Sequence, residues 1–515
     1  MNPPAPDDDD ILPGFVVTIL VIIIALFAVR NLPWHLDDDE QAKQAFVSYQ
    51  MIEEGKWLVQ DKPAGGVASK PPFQGWLSAA AYLGFGARGW ELAWRLPAFV
   101  AALLILRALW RSGETLYGNN VGSLFAIGMF GLNSYVPRLA TLVRTDMLLT
   151  AFIFFTGMLI LEKLRTGKPW TRKEQIYTGL LLLGSTLTKG PIAYGFLLPG
   201  IVAFLFVTRK RSGPRHVWAG WIWWLLPMII FGGWLAIGLQ QPAFKEQVID
   251  KEFLGRFTVG EGARHHNFPP GFYTLGLLGR TLPWTLLLIL ILCVKQVREA
   301  AKQDAVLTWL LCWTFGGLIF MECVPSKRFD RILPVVPPMC LLLAAAARQL
   351  PKYRLYQQPI SRIAILVPLV AVPIAAGYAG WRIFTSFRED DRALVHFGQQ
   401  AREAIGTQLD RAAVVNGKDE GMVMYVGVTG FTRLEDAMGM WRFKHIDWLV
   451  LGEKDFDKNQ AALEPFDLVA STTTPQKSNN YKFLHRVNRE TERGKPAPVK
   501  VEGTPFVPPI PAQPK

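Results

Sequence analysis

Long apolar runs constrain this chain more than any other feature of its sequence. Half of the 515 residues are hydrophobic, and the apolar residues fall into blocks of roughly 18–22 residues, each long enough for a helix to cross a hydrocarbon core of about 30 Å. The apolar residues do not form the amphipathic stripes typical of soluble domains. The sequence therefore predicts an all-α polytopic membrane protein.

Eleven of these blocks are candidate membrane-spanning helices. The first follows an acidic flank, MNPPAPDDDD, and no small-residue cleavage site follows it, so we do not expect a cleavable signal peptide. The segment 71–86 is apolar but short, and we expect an interfacial helix there, which leaves a total of about 11 to 13 spans. The candidate spans are 11–30, 92–111, 118–136, 146–164, 174–188, 191–208, 217–239, 272–294, 304–323, 332–347 and 362–380.

Short basic loops between the blocks predict the orientation. Lys and Arg favour cytoplasmic loops, and the basic loops alternate correctly with the spans if the N-terminus is cytoplasmic. The net charge of +13 lies in these loops, so nucleic acid is not an expected partner. We expect a multi-pass protein of the cell inner membrane, with its active site and its C-terminal domain outside the cytoplasm.

The cysteines and the C-terminal tail complete the domain prediction. Cys293, Cys312, Cys323 and Cys340 lie in or beside apolar segments without a C-x-x-C pair, so buried free thiols are expected. The tail is polar, with short apolar runs at 412–415, 448–452 and 466–471 that predict strands, and a helix is expected at 389–406. The predicted domains are a transmembrane domain at 1–380 with an outer loop at 31–91, a small extracytoplasmic α/β domain at 381–495, and a disordered Pro-rich tail at 496–515.

Polar residues from separate segments fall on the outer face in this topology. Ionisable groups near the membrane are functional by default, and so many on one face predict a polar cavity that opens outward. They are the DDDE cluster, Ser69 and Lys70, Arg138, Arg144 to Asp146, Lys189, the loop 240–271, and Lys327 and Arg328 with Arg331.

The acidic cluster DDDE, residues 37–40, has two interpretations. Asp side chains cap the orphan N–H groups at a helix start and favour the positive end of the helix dipole. That role explains one or two acids well but four poorly. A carboxylate of the cluster can instead act as a general base or orient an acceptor hydroxyl.

The other motifs also have alternative interpretations. Arg144 and Asp146 can form an internal ion pair, and Lys189 can be an interfacial anchor or a phosphate ligand. His265 and His266 are adjacent, and alone they are a weak signal for a metal site. Cations at the edge of a span can hold a phosphate or diphosphate, and the motif VPSKRFDRILP provides Lys327, Arg328 and Arg331.

Together and in this order, the motifs resemble the membrane glycosyltransferases of the protein O-mannosyltransferase type, and most closely the bacterial branch that contains the aminoarabinose transferase of lipid A. The resemblance covers about residues 11–350 in five ordered blocks, none of which is decisive alone. The blocks are the acid pair followed by a helix ending in M-x-x-x-G-x-W (Met51, Gly55, Trp57), K-P-P, R-T-D-M-L-L-T, L-T-K-G-P and S-K-R.

The resemblance implies a fold, a reaction and a set of site residues. The fold is the C-type glycosyltransferase fold, and the reaction is an inverting sugar transfer from a polyprenyl-phosphate donor to a lipid or protein acceptor among membrane lipids. When the helix that ends at Met51 and Trp57 is aligned without gaps, the Asp that acts as the base in the family falls on Glu40. A shift of one residue places the family's Asp-Glu pair on Asp39 and Glu40, and we prefer this alignment. Asp146 is then the second carboxylate, and the donor phosphate is neutralised by Lys70, Arg144, Lys189, Lys327, Arg328 and Arg331.

The chain departs from the aminoarabinose transferases at one position. Those enzymes have a Glu directly before the Lys of K-P-P, where it joins a His of the later loop around a metal. Here that position is Ser69, although His265 and His266 remain. A divalent metal is therefore a possible cofactor and not a certain one.

Two other classes of protein are alternatives to a transferase. A polyprenyl-linked sugar transporter or flippase also needs charges in the membrane, but such proteins often show inverted repeats and discontinuous helices. This sequence has no evident repeat, and its charges gather at one face. A non-catalytic scaffold that presents the tail domain would leave those charges unexplained.

Overall fold

The computed structural model describes residues 11–36, 39–85, 90–211, 217–257, 268–388, 393–415, 419–472 and 480–487. The chain forms two compact units, which we describe separately. The membrane unit comprises Met1–Asn31, Ser69–Gln74 and Pro97–Arg382, and the loop-tail unit comprises Leu32–Ala68, Gly75–Leu96 and Ile383–Lys515.

Helices dominate the chain as far as residue 388. A π-helix at Lys245–Phe253 and a 3₁₀ turn at Leu254–Arg256 follow α10, and a 3₁₀ segment at Phe329–Val335 runs directly into α15. The helices are α1 (Pro13–Val29), α2 (Asp39–Glu54), α3 (Phe73–Phe85), α4 (Trp90–Tyr117), α5 (Asn120–Gly131), α6 (Val136–Ala140), α7 (Thr145–Thr166), α8 (Arg172–Lys189), α9 (Ile192–Val207), α10 (Trp221–Gly238), α11 (Phe272–Arg280), α12 (Trp284–Leu292), α13 (Lys295–Ala300), α14 (Ala305–Cys323), α15 (Val336–Arg348) and α16 (Ile360–Arg388); a short hairpin of β1 (Arg354–Leu355) and β2 (Gln358–Pro359) precedes α16.

Six of the described helices are long and apolar enough to cross a membrane, and the pair α11 and α12 makes a seventh if it counts as one bent span. Helices α1, α5 and α9 are apolar but shorter. The chain is therefore a multi-pass membrane protein, as its apolar blocks predict. Helix α3 lies where the interfacial helix is expected. The six spans are Glu91–Tyr117, Thr145–Thr166, Trp221–Gly238, Ala305–Cys323, Phe329–Arg348 and Ile360–Arg388.

The predicted span at 272–294 is broken in the middle. Helices α11 and α12 meet at an angle of 111°, and Pro283 lies at the break, where its ring removes a backbone donor and cannot continue a helix. At the other end of α11, the Glu322 carboxylate accepts from the N–H groups of Gly271, at 3.1 Å, and Thr274, at 2.8 Å. The polar backbone at the start of α11 is thus satisfied by a side chain of α14, as a low-dielectric environment requires.

Helices α9 and α14 pack with their backbones almost in contact. A Cβ atom at Gly316 would lie 2.6 Å from the backbone nitrogen of Gly200, and one at Gly200 would lie 2.9 Å from the Cα atom of Trp313. Small residues allow this close approach, which strengthens van der Waals packing where no hydrophobic effect drives helices together. Gly157 on α7 likewise makes room for the indole ring of Trp313.

The tail forms a four-stranded sheet with helices on both faces. The strand order is β3-β4-β6-β5, with β3 parallel to β4 and the other pairs antiparallel. The tail elements are α17 (Ala393–Ile405), β3 (Ala412–Val414), α18 (Glu420–Val426), α19 (Leu434–Arg442), β4 (Trp448–Gly452), α20 (Glu453–Leu463), β5 (Phe466–Thr472) and β6 (Tyr481–Arg486).

The central strand β4 shows why the strands of the tail appear in the sequence as short apolar runs. Val450 packs with Phe397 and Phe483 on one face, whereas Leu449 and Leu451 pack in the core on the other face. Because side chains alternate across a strand, a strand covered on both faces is apolar at nearly every position. The expected strands at 412–415, 448–452 and 466–471 and the expected helix at 389–406 coincide with β3, β4, β5 and α17, while the domain boundaries at 380 and 495 stay predictions.

The cysteine prediction is only partly right. All four cysteines are free, and Cys340 is buried, but Cys293 and Cys323 are exposed. Both exposed cysteines lie at the C-terminal ends of apolar helices, where a residue leaves the packed face of its helix. An apolar neighbourhood in the sequence does not distinguish a buried face from a face towards lipid.

The close approach of α9 and α14 predicts a large cost for a side chain at Gly316. We expect Gly316→Val to destabilise the protein by about 1–3 kcal/mol, because the added methyl groups would meet the backbone of α9. The measurement is the thermal unfolding temperature in detergent. Gly232→Val on α10 is the matched control, since no atom lies within 4 Å of a Cβ at that position; equal stability of the two variants would contradict the packing.

Candidate functional site

Asp146 and Lys189 form a buried ion pair between two antiparallel helices. Asp146 lies in the first turn of α7, Lys189 lies in the last turn of α8, and the ammonium donates to the carboxylate. Their side chains are 10% and 8% exposed. Each charge lies at the helix end whose dipole it complements. The internal pairing of Asp146 is therefore with Lys189 and not with the neighbouring Arg144.

Asp330 is the partner of Arg144. The Arg144 guanidinium donates to one oxygen of the Asp330 carboxylate, and the Arg138 guanidinium lies 3.4 Å from the other oxygen. Arg328 lies 3.9 Å from the same carboxylate. Arg144 and Arg328 also lie close enough to Asp146 to act on its charge. One buried carboxylate thus gathers cations from two distant segments of the chain.

The Glu252 carboxylate forms an ion pair with Lys70, the lysine of the K-P-P motif. Lys70 and Arg256 both donate to the same oxygen of the Glu252 carboxylate, whose side chain is 3% exposed. Glu252 lies within the π-helix Lys245–Phe253. π-Helices are rare and occur frequently at functional sites; this one contains Glu252, and the 3₁₀ turn that follows it contains Arg256.

An apolar pocket in the membrane unit is bordered by cations. Its walls come from the ends of α8 and α14, the start of α9 and the π-helical segment. Lys189, Arg256 and Arg331 are its charged residues, and Arg256 and Arg331 both act on the charge of Lys189. The apolar lining is Leu149, Pro191, Ile192, Phe196, Phe253, Leu254, Phe257, Phe320, Met321 and Val324.

The cations in and after the S-K-R motif have different roles, although the sequence assigns all of them to the donor phosphate. The Lys327 ammonium donates to the carbonyl oxygens of Glu322, at 2.5 Å, and Val324, at 2.8 Å, so two of its three donors already stabilise the chain after α14. Arg331 donates to the carbonyl of Ser326 at 2.7 Å and still borders the pocket. Of these residues, Arg331 is the better placed to meet a ligand in the pocket, and Lys327 holds the loop.

The predicted acids Asp39 and Glu40 belong to the loop-tail unit. They form the first turn of α2, and Glu40 is half-buried. The cations belong to the membrane unit. The predicted encounter of these acids with the cations stays a prediction, and Asp37, Asp38, His265 and His266 lie outside the described residues.

A third carboxyl on α2 has a shifted pKa. Burial raises the pKa of Glu53, and the nearby Arg402 guanidinium opposes that shift. A perturbed carboxyl is a candidate acid or base, but Glu53 lies in the last turn of α2, about 20 Å along the helix from Glu40 at 1.5 Å per residue. The opposing charge of Arg402, on α17, acts on Glu53 within the loop-tail unit.

No group of three or more His, Cys, Asp or Glu side chains in the described parts of the chain is arranged to hold a metal ion. The predicted metal ligands lie outside those parts. The described carboxylates Glu252 and Asp330 have Lys and Arg side chains as partners.

Sequence reasoning missed Glu252, Arg256 and Asp330 as site residues. Glu252 and Arg256 lie in the loop 240–271, which is noted only as a polar outer segment, and their spacing of four residues places both on one helical face. Asp330 stands inside the motif VPSKRFDRILP, between two cations assigned to phosphate. The excess of cations in the neighbouring motifs is the signal that would have called for buried acids.

Three comparisons with known proteins bear on this site. A family model described as dolichyl-phosphate-mannose-protein mannosyltransferase matches residues 69–234. An undecaprenyl phosphate-alpha-4-amino-4-deoxy-L-arabinose arabinosyl transferase of Shewanella sediminis is 26% identical over 340 residues, 63% of this chain and 59% of that protein. The corresponding protein of Serratia proteamaculans is 28% identical over 264 residues, 46% of this chain and 47% of that protein. The matches span less than two thirds of the length of these relatives.

Solved structures match over most of the chain. ArnT from Cupriavidus metallidurans, bound to undecaprenyl phosphate, has a TM-score of 0.68 at 16% identity and covers 92% of this chain and 98% of that one. The apo oligosaccharyltransferase of Archaeoglobus fulgidus has a TM-score of 0.54 at 12% identity and covers 88% and 71%. These matches confirm the predicted C-type glycosyltransferase fold, and together with the relatives they confirm the resemblance predicted from the ordered motifs.

Because Arg138 and Arg144 share the Asp330 carboxylate, we expect Asp330→Asn to destabilise the protein strongly. Removing the charge breaks the buried ion pair between Arg144 and Asp330, and breaking a buried pair costs about 3–5 kcal/mol. The measurement is the unfolding temperature of the purified protein. Glu246→Gln is the control, because Glu246 pairs with Lys251 in an exposed ion pair, and exposed ion pairs contribute little to stability. An Asp330→Asn protein as stable as this control would refute the assigned role.

Proposed function

We propose that this protein is an integral-membrane inverting glycosyltransferase that moves a sugar from a polyprenyl-phosphate donor to a lipid or protein acceptor. The observation that supports it best is the apolar pocket bordered by Lys189, Arg256 and Arg331. A polyprenyl phosphate joins an apolar chain to an anionic head, and this pocket offers apolar walls and fixed cations side by side. Arginine and lysine are the usual partners of phosphate oxygens.

The relatives agree with this donor. The Shewanella and Serratia proteins are named as transferases of an undecaprenyl phosphate-linked aminoarabinose, and the Cupriavidus structure contains undecaprenyl phosphate. By analogy with these relatives, we propose that the donor of this protein is a polyprenyl-phosphate-linked sugar. Ser69 stands where the aminoarabinose transferases have Glu, so the sugar is left to experiment. The acceptor, which is lipid A, another envelope glycan or a protein hydroxyl, is left to experiment as well.

The cations stabilise the leaving group in this proposal. As the bond between the anomeric carbon and the phosphate oxygen breaks, negative charge grows on the departing polyprenyl phosphate. Lys70, Lys189 and Arg256 already face buried carboxylates, which fix their positions before the donor arrives. Charges fixed in advance in a site that excludes water lower the barrier more than mobile charges in water. Arg144, Arg328 and Arg331 extend the positive field, and Lys327 supports it through the backbone.

The acids act on the acceptor. Asp39 or Glu40 accepts the proton of the acceptor hydroxyl while its oxygen attacks the anomeric carbon from the face opposite the phosphate. One bond forms between the acceptor oxygen and the sugar, the bond to the phosphate breaks, and the configuration inverts. The proton on the carboxyl group then returns to water. In this scheme Asp146 fixes Lys189 and is the second carboxylate of the site.

We further propose the orientation that the basic loops predict. The N-terminus is cytoplasmic, and the acids, the cations and the C-terminal domain lie outside the cytoplasm at the inner membrane. In this arrangement 1–380 is the transferase domain and 381–495 is the extracytoplasmic domain, with residues 496–515 as a tail. Because Lys and Arg side chains supply positive charge, no step of the proposed reaction depends on a metal ion.

A donor assay tests the function. The purified protein in lipid receives a radiolabelled polyprenyl-phosphate sugar and an envelope extract as acceptor source. We expect free polyprenyl phosphate to appear together with labelled acceptor, because the transfer breaks the sugar–phosphate bond. A flippase would move the intact donor across a vesicle without releasing polyprenyl phosphate, and a scaffold would do neither. Either of these last results would overturn the proposal.

If Asp39 and Glu40 act on the acceptor, replacing them should slow the transfer without weakening donor binding. We expect Asp39→Asn combined with Glu40→Gln to lower the rate of transfer by roughly 100-fold or more, since general-base catalysis typically contributes about 100-fold to 10,000-fold. Donor binding, measured by protection from thermal unfolding, should stay within about twofold. The matched control is Asp436→Asn combined with Glu435→Gln, which removes two exposed carboxylates on α19. Full activity of the first double variant would exclude these acids.

A further inference from the structure

A buried hydrogen-bond network joins the tail to the start of α2 inside the loop-tail unit. The hydroxyl group of Tyr425, on the tail helix α18, donates to the Glu91 carboxylate at 2.6 Å and accepts from the backbone N–H of Leu36 at 3.1 Å. Tyr425 and Leu36 are both fully buried. Burial and the Glu91 charge raise the pKa of Tyr425 well above its ordinary value, so the hydroxyl keeps its proton and remains a donor.

A second branch of the network reaches the other side of the acids. The Arg95 guanidinium donates to the backbone carbonyl of His35 at 2.9 Å and to the side-chain oxygen of Gln41 at 2.7 Å. The His35 ring nitrogen lies 3.4 Å from Glu91, which closes the connection to Tyr425. The chain is therefore anchored immediately before the acidic cluster, at residues 35 and 36, and immediately after it, at residue 41.

The backbone of α18 approaches this anchor directly. A Cβ atom at Gly421 would lie 2.0 Å from the carbonyl oxygen of Leu36, so glycine is required for α18 to lie where it does. Lys43, one turn further along α2, lies 3.4 Å from Glu420 of the same tail helix. Helix α18 thus contacts the chain before the acids, at Leu36, and after them on α2, at Lys43.

We propose that Tyr425 is a positioning residue for Asp39 and Glu40, so that the C-terminal domain is part of the catalytic apparatus although it provides no catalytic group. This inference rests on the proposed function, in which those acids serve the acceptor. Catalytic rates fall steeply when a reacting group is misplaced by about 1 Å. A network that fixes the backbone on both sides of the acids controls that placement. Its contribution is to the chemical step and not to the binding of the donor.

The first test measures the position of the acids without requiring activity. Hydrogen exchange is followed at the Leu36 amide and in the first turn of α2, in the full-length protein in lipid. In Tyr425→Phe the Leu36 amide loses its acceptor, and we expect its exchange to accelerate on the order of tenfold, because opening there becomes cheaper. Trp441→Phe is the control: it removes a buried tail hydrogen bond, from the indole N–H to the carbonyl of Leu463 at 2.9 Å, and should leave Leu36 unchanged.

The second test uses the transfer reaction. We expect Tyr425→Phe to lower kcat at least tenfold while KM for the donor stays within about twofold, since misplaced acids slow the chemical step without changing the contacts that hold the donor. Trp441→Phe should retain most of its kcat. If Tyr425→Phe does not fold, Glu91→Gln replaces it; it keeps an acceptor for the tyrosine but removes the charge, and the same split between kcat and KM is expected.

The outcomes separate this inference from the function on which it rests. Faster exchange at Leu36 and a lower kcat support both. Unchanged exchange, or an active Tyr425→Phe protein with the kcat of the wild type, overturns the positioning role while the transferase stands. A wild-type protein that releases no polyprenyl phosphate overturns the transferase, and a positioning role in this reaction falls with it.

Discussion

Three buried carboxylates, Asp146, Asp330 and Glu252, determine how the described cations of the membrane unit are arranged. Removing a lysine or arginine from water is costly, and only a close partner of opposite sign offsets that cost. Each carboxylate therefore draws in cations from a different part of the chain, and each pair fixes two segments at once. Lys70 and Glu252 are 182 residues apart in sequence, and Arg144 and Asp330 are 186 apart. The same pairs that hold the segments together keep the cations ordered beside the apolar pocket.

The irregular backbone of the membrane unit lies close to these charges. The π-helix contains Glu252, and the break at Pro283 directs α12 away from α11. Unpaired backbone groups are costly in a low-dielectric environment, so such irregularities persist only where side chains satisfy them. Glu322 does so at the start of α11, and Lys327 does so after α14. Charged groups at the pocket thus have two tasks: they complete the backbone hydrogen bonding, and they provide the field in which a phosphate is proposed to bind.

The parts of the fold that depend on local periodicity could be predicted from the sequence. The long apolar blocks predict the six or seven spans found in the described residues, and the tail runs predict β3, β4 and β5, because burial on both faces leaves strands apolar. Lys70, Lys189 and Arg144 could be named because short motifs mark them. Glu252 and Asp330, the partners of Lys70 and Arg144, could not be named, since the excess of cations calls for buried acids but a pairing across more than 180 residues does not show which acids they are. The break at Pro283 was also missed, because a largely apolar block such as 272–294 looks the same whether its helix is straight or bent.

The tail illustrates the same limit at a larger scale. Helix α18 lies in one compact unit with residues 32–68 of the first loop, a grouping that no local pattern in the sequence shows, while the domain boundary at residue 380 stays a prediction. The hydroxyl of Tyr425 and the amide of Leu36 are 389 residues apart in sequence, and each is buried, so neither can lose the other without leaving a polar group unsatisfied. Such a pair is expected only where the two segments fold together. The first loop therefore depends on the tail for the conformation of the turn that begins α2, and a domain without any catalytic motif acquires a place in the proposed reaction.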